Sequence, residues 1–306
     1  MSQLPDQRVA NRKVESIKCF YQFWITRDPS DAETFLASNY QQHPPQDPSV
    51  QPGRDNFLNA VLNGFATAFS DVENEMTHCI IDGNFVGVRG EWSTVHSAEF
   101  FGAPPSGNRI RFTAFDLHRL DDDGLVAETW HLEDYAAIMN QLQSGQPVAD
   151  PNWPHSGRTL SASSSVTRNF ADIETKFDTI NRFYKFATTF DTSDVDSYLD
   201  PRYQQFPPQS AEVAPGRDNF LEAILAGYAG AFSDIKNNLT HVLMDGDYVY
   251  VRGEWSALHS GDTLGMPATN KRVSFTAFDL HRMEAGRIVE TWHLEDFMAI
   301  MNQLQG

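Results

Sequence analysis

The chain repeats itself. Residues 52–58, PGRDNFL, return at 215–221, and FTAFDLHR at 112–119 returns at 275–282, a constant offset of 163. ETWHLED at 128–134 returns at 290–296 and AIMNQLQ at 137–143 returns at 299–305, the offset having fallen to 162 through a one-residue deletion. Shared runs of this length in one order mean a duplicated domain of about 130 residues. Two copies are too few for a solenoid, so each must close a core of its own. The reading is a first domain at 9–145, a linker at 146–168 and a second domain at 169–306. The linker, QPVADPNWPHSGRTLSASSSVTR, is rich in proline, glycine and serine and keeps no apolar period.

Within each copy helices precede strands. Ile17, Phe20, Tyr21 and Trp24 recur at helical spacing over Val14–Ile25. A short helix is expected over Asp31–Ala37, and a third over Arg54–Phe69, with Phe57, Leu58, Val61, Leu62, Phe65 and Phe69 as its buried stripe. Beyond Asp71 the period changes to two, which predicts strands at 73–81, 84–96, 109–120 and 125–132 with a turn at Asp82-Gly83. A last helix begins near Asp134. This order is an α+β signature, with helices packed in a curved antiparallel sheet whose open end leaves a cavity for a small ligand.

The charge balance narrows the partners. With 41 acidic against 23 basic residues the net charge is −18, a surface that repels phosphate backbones and anionic lipids. The densest basic clusters, Arg109 with Arg111 and Lys271 with Arg272, sit in ordinary strand or turn positions, so neither nucleic acid nor membrane is an expected partner. Cys19 and Cys79 do not recur in the second copy, which argues against a disulfide framework and for a reducing compartment. Met1–Lys13 has no apolar signal region and no apolar run approaches about 18 residues, so the expected location is the cytoplasm.

Taken together, YQQHPP (40–45), PGRDNFL, DGNFVGVRGEW (82–92), His96, FFGAPPSGNRIRF (100–112), FDLHRL (115–120) and ETWHLED resemble the SnoaL-like polyketide cyclases of the nuclear transport factor 2-like superfamily. The resemblance covers nearly all of each copy. It implies two tandem cone-shaped α+β barrels, each with an apolar cavity and neither metal nor organic cofactor. Such cones associate through their sheets, so the two domains are expected to pair with each other, and further homo-oligomerisation stays open. The implied chemistry is ring closure on a small apolar carbonyl compound with an aspartate as acid and base. The fold also hosts isomerases, dehydratases, hydrolases and binders without activity, so a non-catalytic binding or scaffold protein is the second reading.

By motif the acid/base aspartate falls on Asp134, with Asp296 in copy two; a base beside an apolar cavity has its pKa raised by desolvation. The same Asp134 precedes a helix and reads equally as its N-cap. In FDLHR, alternation puts Asp116 and His118 on one face, with Asp279 and His281 as counterparts. His118 matches the family's cavity histidine, and Asp116 is read as a structural partner that also contacts the site. His43 matches a histidine at the pocket mouth, but its counterpart is Phe206, so the alternatives are a retired second site or a loop that needs only a flat ring. Tyr40, Trp130 and His131, with Trp292, His293 and Phe206, complete the expected substrate contacts. Trp130 and His131 adjoin in one strand, so only one of them can line the cavity. Arg89 and Glu91 are expected to form a cross-strand ion pair. Asp116, His118, His131 and His43 are metal-ligand types without HxH or HExxH spacing, which leaves a metal-dependent enzyme as a third reading and no metal as the expectation.

Overall fold

A computed structural model describes residues 5–44, 48–145, 170–210, 212–263 and 265–306. The expected linker lies outside them. The chain divides into two compact units, Met1–Ala162 and Ser163–Gly306, and each carries one five-stranded sheet.

In the first unit the order is α1 (Pro5–Thr26), a 3-10 turn (Ala32–Thr34), β1 (Leu36–His43), α2 (Arg54–Asn63), α3 (Phe65–Ala68), β2 (Phe69–Asp82), β3 (Phe85–His96), β4 (Arg109–Leu120), β5 (Val126–Glu133) and α4 (Tyr135–Ser144). The second unit repeats it with α5 (Phe170–Thr189), a 3-10 turn (Val195–Ser197), β6 (Leu199–Phe206), α6 (Arg217–Ala226), α7 (Tyr228–Ala231), β7 (Phe232–Asp245), β8 (Tyr248–His259), β9 (Arg272–Glu284), β10 (Arg287–Glu295) and α8 (Phe297–Gln305). The fold is α+β. Among the described residues no helix is long and apolar enough to cross a membrane.

The sheet is mixed. Strands β2 to β5 form the expected antiparallel meander, and β1 adds to β5 in parallel, giving the order β1-β5-β4-β3-β2. The segment read as a short helix over 31–37 is a single 3-10 turn followed by this strand. Its polar stretch SNYQQH hides the alternation that would reveal it. The helix expected over 54–69 breaks at Gly64, whose amide donates to the Ala60 carbonyl; one further turn, α3, follows, and Phe69 enters β2. A side chain at position 64 would meet the Ala60 oxygen at 2.8 Å, so the close approach needs glycine there. In β2 the pairing register slips between Ser70 and Glu73 and again between Met76 and His78, with Asp71 at a φ of 50°. Such bulges bend and twist a sheet, here around α1.

The core follows from the sequence stripes. Ile17, Phe20, Tyr21, Phe23 and Trp24 of α1 are buried against Val86, Val88 and Trp92 of β3 and Ile110, Phe112 and Ala114 of β4. Phe57 of α2 is the hub, with ring centroids 4.7 Å from Tyr40, 6.0 Å from Trp24, 6.1 Å from Phe20 and 6.3 Å from Phe23. Arg89 and Glu91 do pair, yet along one strand and not across two, and both are buried. Arg89 Nη1 also donates to the Thr77 hydroxyl, and the Thr113 hydroxyl donates to Glu91 Oε2. Truncating Phe57 to alanine should destabilise the first unit by about 3–5 kcal/mol, seen as an earlier urea transition. A shift below about 1 kcal/mol would contradict its place at the centre of this core.

Candidate active site

The pairing of β4 with β5 sets Asp116 opposite His131 and His118 opposite Thr129. All four side chains point to the face covered by α1, because residues directly across an antiparallel pair share a face. From α1, Tyr21 reaches into the same layer. Its hydroxyl donates to Asp116 Oδ2 at 2.5 Å and lies 3.1 Å from His118 Nε2. His131 Nδ1 is 2.6 Å from Asp116 Oδ1, and its Nε2 is 2.9 Å from Glu133 Oε1. His118 Nδ1 is 2.9 Å from the Thr129 hydroxyl. A continuous chain of polar groups, Thr129–His118–Tyr21–Asp116–His131–Glu133, therefore runs through an otherwise aromatic interior.

Charges follow from these contacts. Burial alone would raise the Asp116 pKa, but His131, His118 and the Tyr21 hydroxyl overcome it and hold the carboxyl below its ordinary value. Burial disfavours a charged His131 too, yet Asp116 and Glu133 on either side push its pKa up to about 10. His131 is thus an imidazolium that donates from both ring nitrogens, to Asp116 and to Glu133. His118 is completely buried, and its pKa falls to about 4 despite the pull of Asp116. Its tautomer is set by its neighbours. Since the single Tyr21 proton goes to Asp116, the phenol oxygen accepts from His118 Nε2–H, and the Thr129 hydroxyl donates to Nδ1.

The polar chain forms one wall of a tight cleft, a cavity of about 10 Å³ that opens to solvent. Phe20, Trp24, Phe65, Trp92 and Phe112 supply apolar walls, and Gln42, Asp116, Thr129, His131 and Glu133 the polar ones. Two cleft residues carry buried polar atoms without a hydrogen-bond partner, Glu133 Oε2 and Trp92 Nε1. Glu133 is 8% exposed and Trp92 6%. Buried acceptors and donors are rarely left unpaired, and these two share the cleft lining. Among the described residues no group of three or more His, Cys, Asp or Glu side chains is arranged to hold a metal.

The expected site residues fall into two sets. Asp116, His118 and His131 meet at the cleft, and between Trp130 and His131 it is the histidine that lines it. Tyr40 is buried beside Phe57 and Phe20 under the cleft. Trp130 pairs in register with His43, and their rings stack at 5.2 Å and 17°. Both project from the sheet face opposite Thr129 and Gln42, and the His43 Nε2 lies 3.4 Å from Glu128. The second unit keeps the stack, with Phe206 on Trp292 at 5.5 Å and 17°. A flat ring is the shared requirement at this position. Asp134 caps α4: its Oδ1 accepts from the Ala137 amide at 2.8 Å, while burial raises its pKa against that hydrogen bond. It stands outside the cleft lining. Asp296 caps α8 through the Ala299 amide at 2.9 Å and borders a shallow groove with Trp255 and Glu254.

Tyr21, Gln42 and Glu133 were not read as site residues from sequence. Tyr21 looks like any core aromatic of an amphipathic helix. Glu133 had a signal: Thr129, His131 and Glu133 alternate on one face, and the Asp116/His118 face must meet it.

The second unit reproduces the network. Tyr184 donates to Asp279 Oδ2 at 2.6 Å and lies 3.2 Å from His281 Nε2, His293 Nδ1 is 2.7 Å from Asp279 Oδ1, and His281 Nδ1 is 2.9 Å from Thr291. His281 is again pushed down to about 4 by burial. His293 goes up to about 10, because Asp279 and Glu295 outweigh burial. Glu295 stands off at 3.8 Å from His293 Nε2.

With the fold and the site in view, comparison identifies the class. The SnoaL-like polyketide cyclase model matches residues 15–142 and again 178–304, so the chain belongs to that family in both halves. No match was found among curated proteins. Among solved structures the chain is similar to TsrD from Streptomyces laurentii, at 24% identity over 45% of this chain and 97% of that one, TM-score 0.39. It is also similar to IdmH from Streptomyces antibioticus, at 25% identity over 43% and 99%, TM-score 0.39. A SnoaL-like polyketide cyclase from Agrobacterium tumefaciens aligns at 15% identity over 42% and 97%, TM-score 0.36.

Proton linkage gives this site a pH signature. Between about pH 4 and 10 each folded network holds one histidine proton, on His131 or His293. Unfolded, both histidines of a copy titrate near 6.5. Below 6.5 the unfolded chain binds the extra proton and stability rises with pH; above it the folded chain does, and stability falls. These groups therefore contribute a stability maximum near pH 6.5, with slopes of about 1.4 kcal/mol per pH unit per copy on either side. Nitrogen-15 imidazole spectra should show His131 doubly protonated at about pH 8.5 and His118 neutral with its proton on Nε2 at about pH 5.5. A neutral His131 at the higher pH would refute the assignment.

Proposed function

We propose that the chain is a cofactor-independent enzyme of the cyclase or isomerase type, enolising a small apolar carbonyl compound bound in the aromatic cleft. The observation that carries this reading is that the unpartnered carboxylate oxygen of Glu133 and the unpartnered indole N–H of Trp92 belong to residues lining one cleft, together with the Asp116–His131 ion pair. Glu133 Oε2 accepts the proton from the carbon next to the carbonyl. The C–H electron pair becomes the enolate double bond, and charge moves onto the carbonyl oxygen, which takes a hydrogen bond from Trp92 Nε1–H. The enolate carbon then attacks a second carbonyl of the same molecule, whose π electrons become an alkoxide that takes the proton back from the Glu133 acid, or it is reprotonated at a new position by that acid. An apolar cleft favours the step because it strips water from the carboxylate and strengthens hydrogen bonds to the developing oxyanion.

The other groups position this base. His131 holds Glu133 through Oε1 and leaves Oε2 open, while Asp116 and Tyr21 hold His131. His118, neutral and donating to Tyr21, directs the phenol proton onto Asp116. In this reading Asp134 and Asp296 serve as helix caps, and His43 as a ring stacked on Trp130. That departs from the role their motif implies, and the reason is geometric: the Asp134 carboxyl is engaged by an amide and is not among the cleft-lining groups.

The test is deuterium exchange at the enolisable carbon of 2-tetralone, followed by proton NMR. Glu133→Gln combined with Glu295→Gln should slow catalysed exchange by about 10²–10⁴-fold, the usual worth of a positioned acid/base group. Asp134→Asn with Asp296→Asn should leave it within about threefold, since asparagine also caps a helix. The opposite pattern would return the chemistry to the capping aspartates.

A further inference from the structure

Two side-chain N–H donors meet over a glycine in the sheet. A Cβ at position 90 would stand 3.0 Å from Asn74 Nδ2 and 3.2 Å from Trp92 Nε1. Asn74 of β2 and Trp92 of β3 are direct register partners, so both side chains lie on the sheet face that carries the cleft. The Trp92 N–H has no hydrogen-bond partner among the described residues. Asn74 Nδ2 makes one long hydrogen bond, 3.4 Å to the Glu91 carbonyl, which leaves its second N–H. The second unit repeats the arrangement. Asn237 and Trp255 are register partners, and a Cβ at Gly253 would stand 3.0 Å from Trp255 Nε1. There Asn237 Nδ2 and Trp255 Nε1 are both buried, and neither has a partner among the described residues.

The row of the sheet that holds this glycine also holds the proposed base. Gly90 pairs with Ala114 of β4, and Ala114 pairs with Glu133 of β5. The three residues share one line across the sheet and one face. Two strand spacings, about 10 Å, separate Gly90 from Glu133, and the residue between them carries the smallest side chain. Gly253, Ala277 and Glu295 form the same row in the second unit. Neither glycine has a positive φ, so the backbone does not call for glycine at either place. An enolate laid over the alanine spans the row. From the base oxygen through the deprotonated carbon and the carbonyl oxygen to a donor nitrogen is roughly 8 Å.

We infer that the bare Cα of Gly90, with Asn74 Nδ2–H and Trp92 Nε1–H over it, is a two-donor notch for the enolate oxygen, facing Glu133 across Ala114. Gly253, Asn237 and Trp255 form its counterpart. The inference rests on the enolisation proposed above and adds a second donor, Asn74, to Trp92. Donors fixed on adjacent strands need no reorganisation as charge develops on the oxygen, and one donor of this kind is worth about 10²–10³ in kcat. A side chain at position 90 would fill the notch, which gives an extended-backbone glycine a chemical reason to be there.

Absorbance titration of 2-naphthol bound to the full chain reads the notch, because 2-naphthol is the aromatic analogue of the 2-tetralone enol. Asn74→Ala combined with Asn237→Ala should lower the ionisation constant of the bound naphthol at least about tenfold. The same variant should slow 2-tetralone exchange about 10²-fold in kcat and leave KM within about threefold. Gly90→Ala combined with Gly253→Ala keeps both donors yet should give the same two losses. A purely structural role would move the urea transition and leave the naphthol ionisation where it is. Should the glycine variant fail to fold, the asparagine variant decides, since neither asparagine is fully buried and both lie on edge strands. An unchanged naphthol ionisation in the asparagine variant, with Glu133→Gln and Glu295→Gln still slowing exchange, overturns the notch alone. The expected naphthol losses with exchange indifferent to the glutamate variants support the notch and overturn the base. Binding of neither compound overturns both.

Discussion

A carboxylate and an imidazolium share the interior of each unit, and the rest of the structure is arranged to keep them there. Taking either charge out of water alone costs several kcal/mol, and breaking such a pair leaves an uncompensated charge worth about 3–5 kcal/mol of destabilisation. Asp116 and His131 come from adjacent strands, held opposite one another by the β4–β5 register. Tyr21 adds the second hydrogen bond to the carboxylate from the helix side. The network thus ties α1 to the sheet at a fixed azimuth, and the aromatic rings pack around that constraint. His118 shows the other response to the same environment. Edge-on to Phe20 at 4.9 Å and without a carboxylate hydrogen-bonded to its ring, it stays neutral.

Much of this was legible in the sequence, for reasons that can be named. The duplication was legible because long identical runs recurring in one order have no other explanation. The meander β2–β5 was readable because its segments carry period-two stretches such as RIRFTA and FDLHR between turn signals, and the helices because their stripes are aromatic. Strand β1 was missed because SNYQQH is polar on both faces, so its pairing is decided by the neighbouring strand. The site was half legible. Asp116 and His118 stood out by alternation, but which of Trp130 and His131 faces inward depends on the register of β5 against β4. Tyr21 and Glu133 became visible only when helix and strand were brought together, since nothing local distinguishes them from a core aromatic and a solvated acid. The motif pointed to Asp134, where the capping hydrogen bond and the charge chemistry draw on the same carboxyl.

Duplication within one chain removes a constraint that identical subunits carry. When one gene supplies every cavity, a change in its wall alters all of them together. Here each copy could lose or gain a ring separately, as Trp24 against Ala187 shows, while the proton-bearing groups have not changed. Tyr21, Asp116, His118, Thr129, His131 and Glu133 all recur as Tyr184, Asp279, His281, Thr291, His293 and Glu295. The family assignment holds for both halves, and it is the apolar residues that tell them apart.

The parallel edge strand has a further bearing on the cleft. Gln42 and His43 adjoin in β1, one facing the cleft and the other stacked on Trp130. The strand reaches that position through an irregular register between Leu36 and Gln41. A one-residue slip past this irregularity would exchange the two faces. In the first unit it would trade a neutral amide for an imidazole at the cleft; in the second it would trade the amide of Gln205 for the phenyl ring of Phe206. An identical backbone movement would bring a basic ring to that sheet face in one unit and an apolar ring in the other, so the edge strand is a point where a single mechanical variable has opposite chemical readings in the two halves.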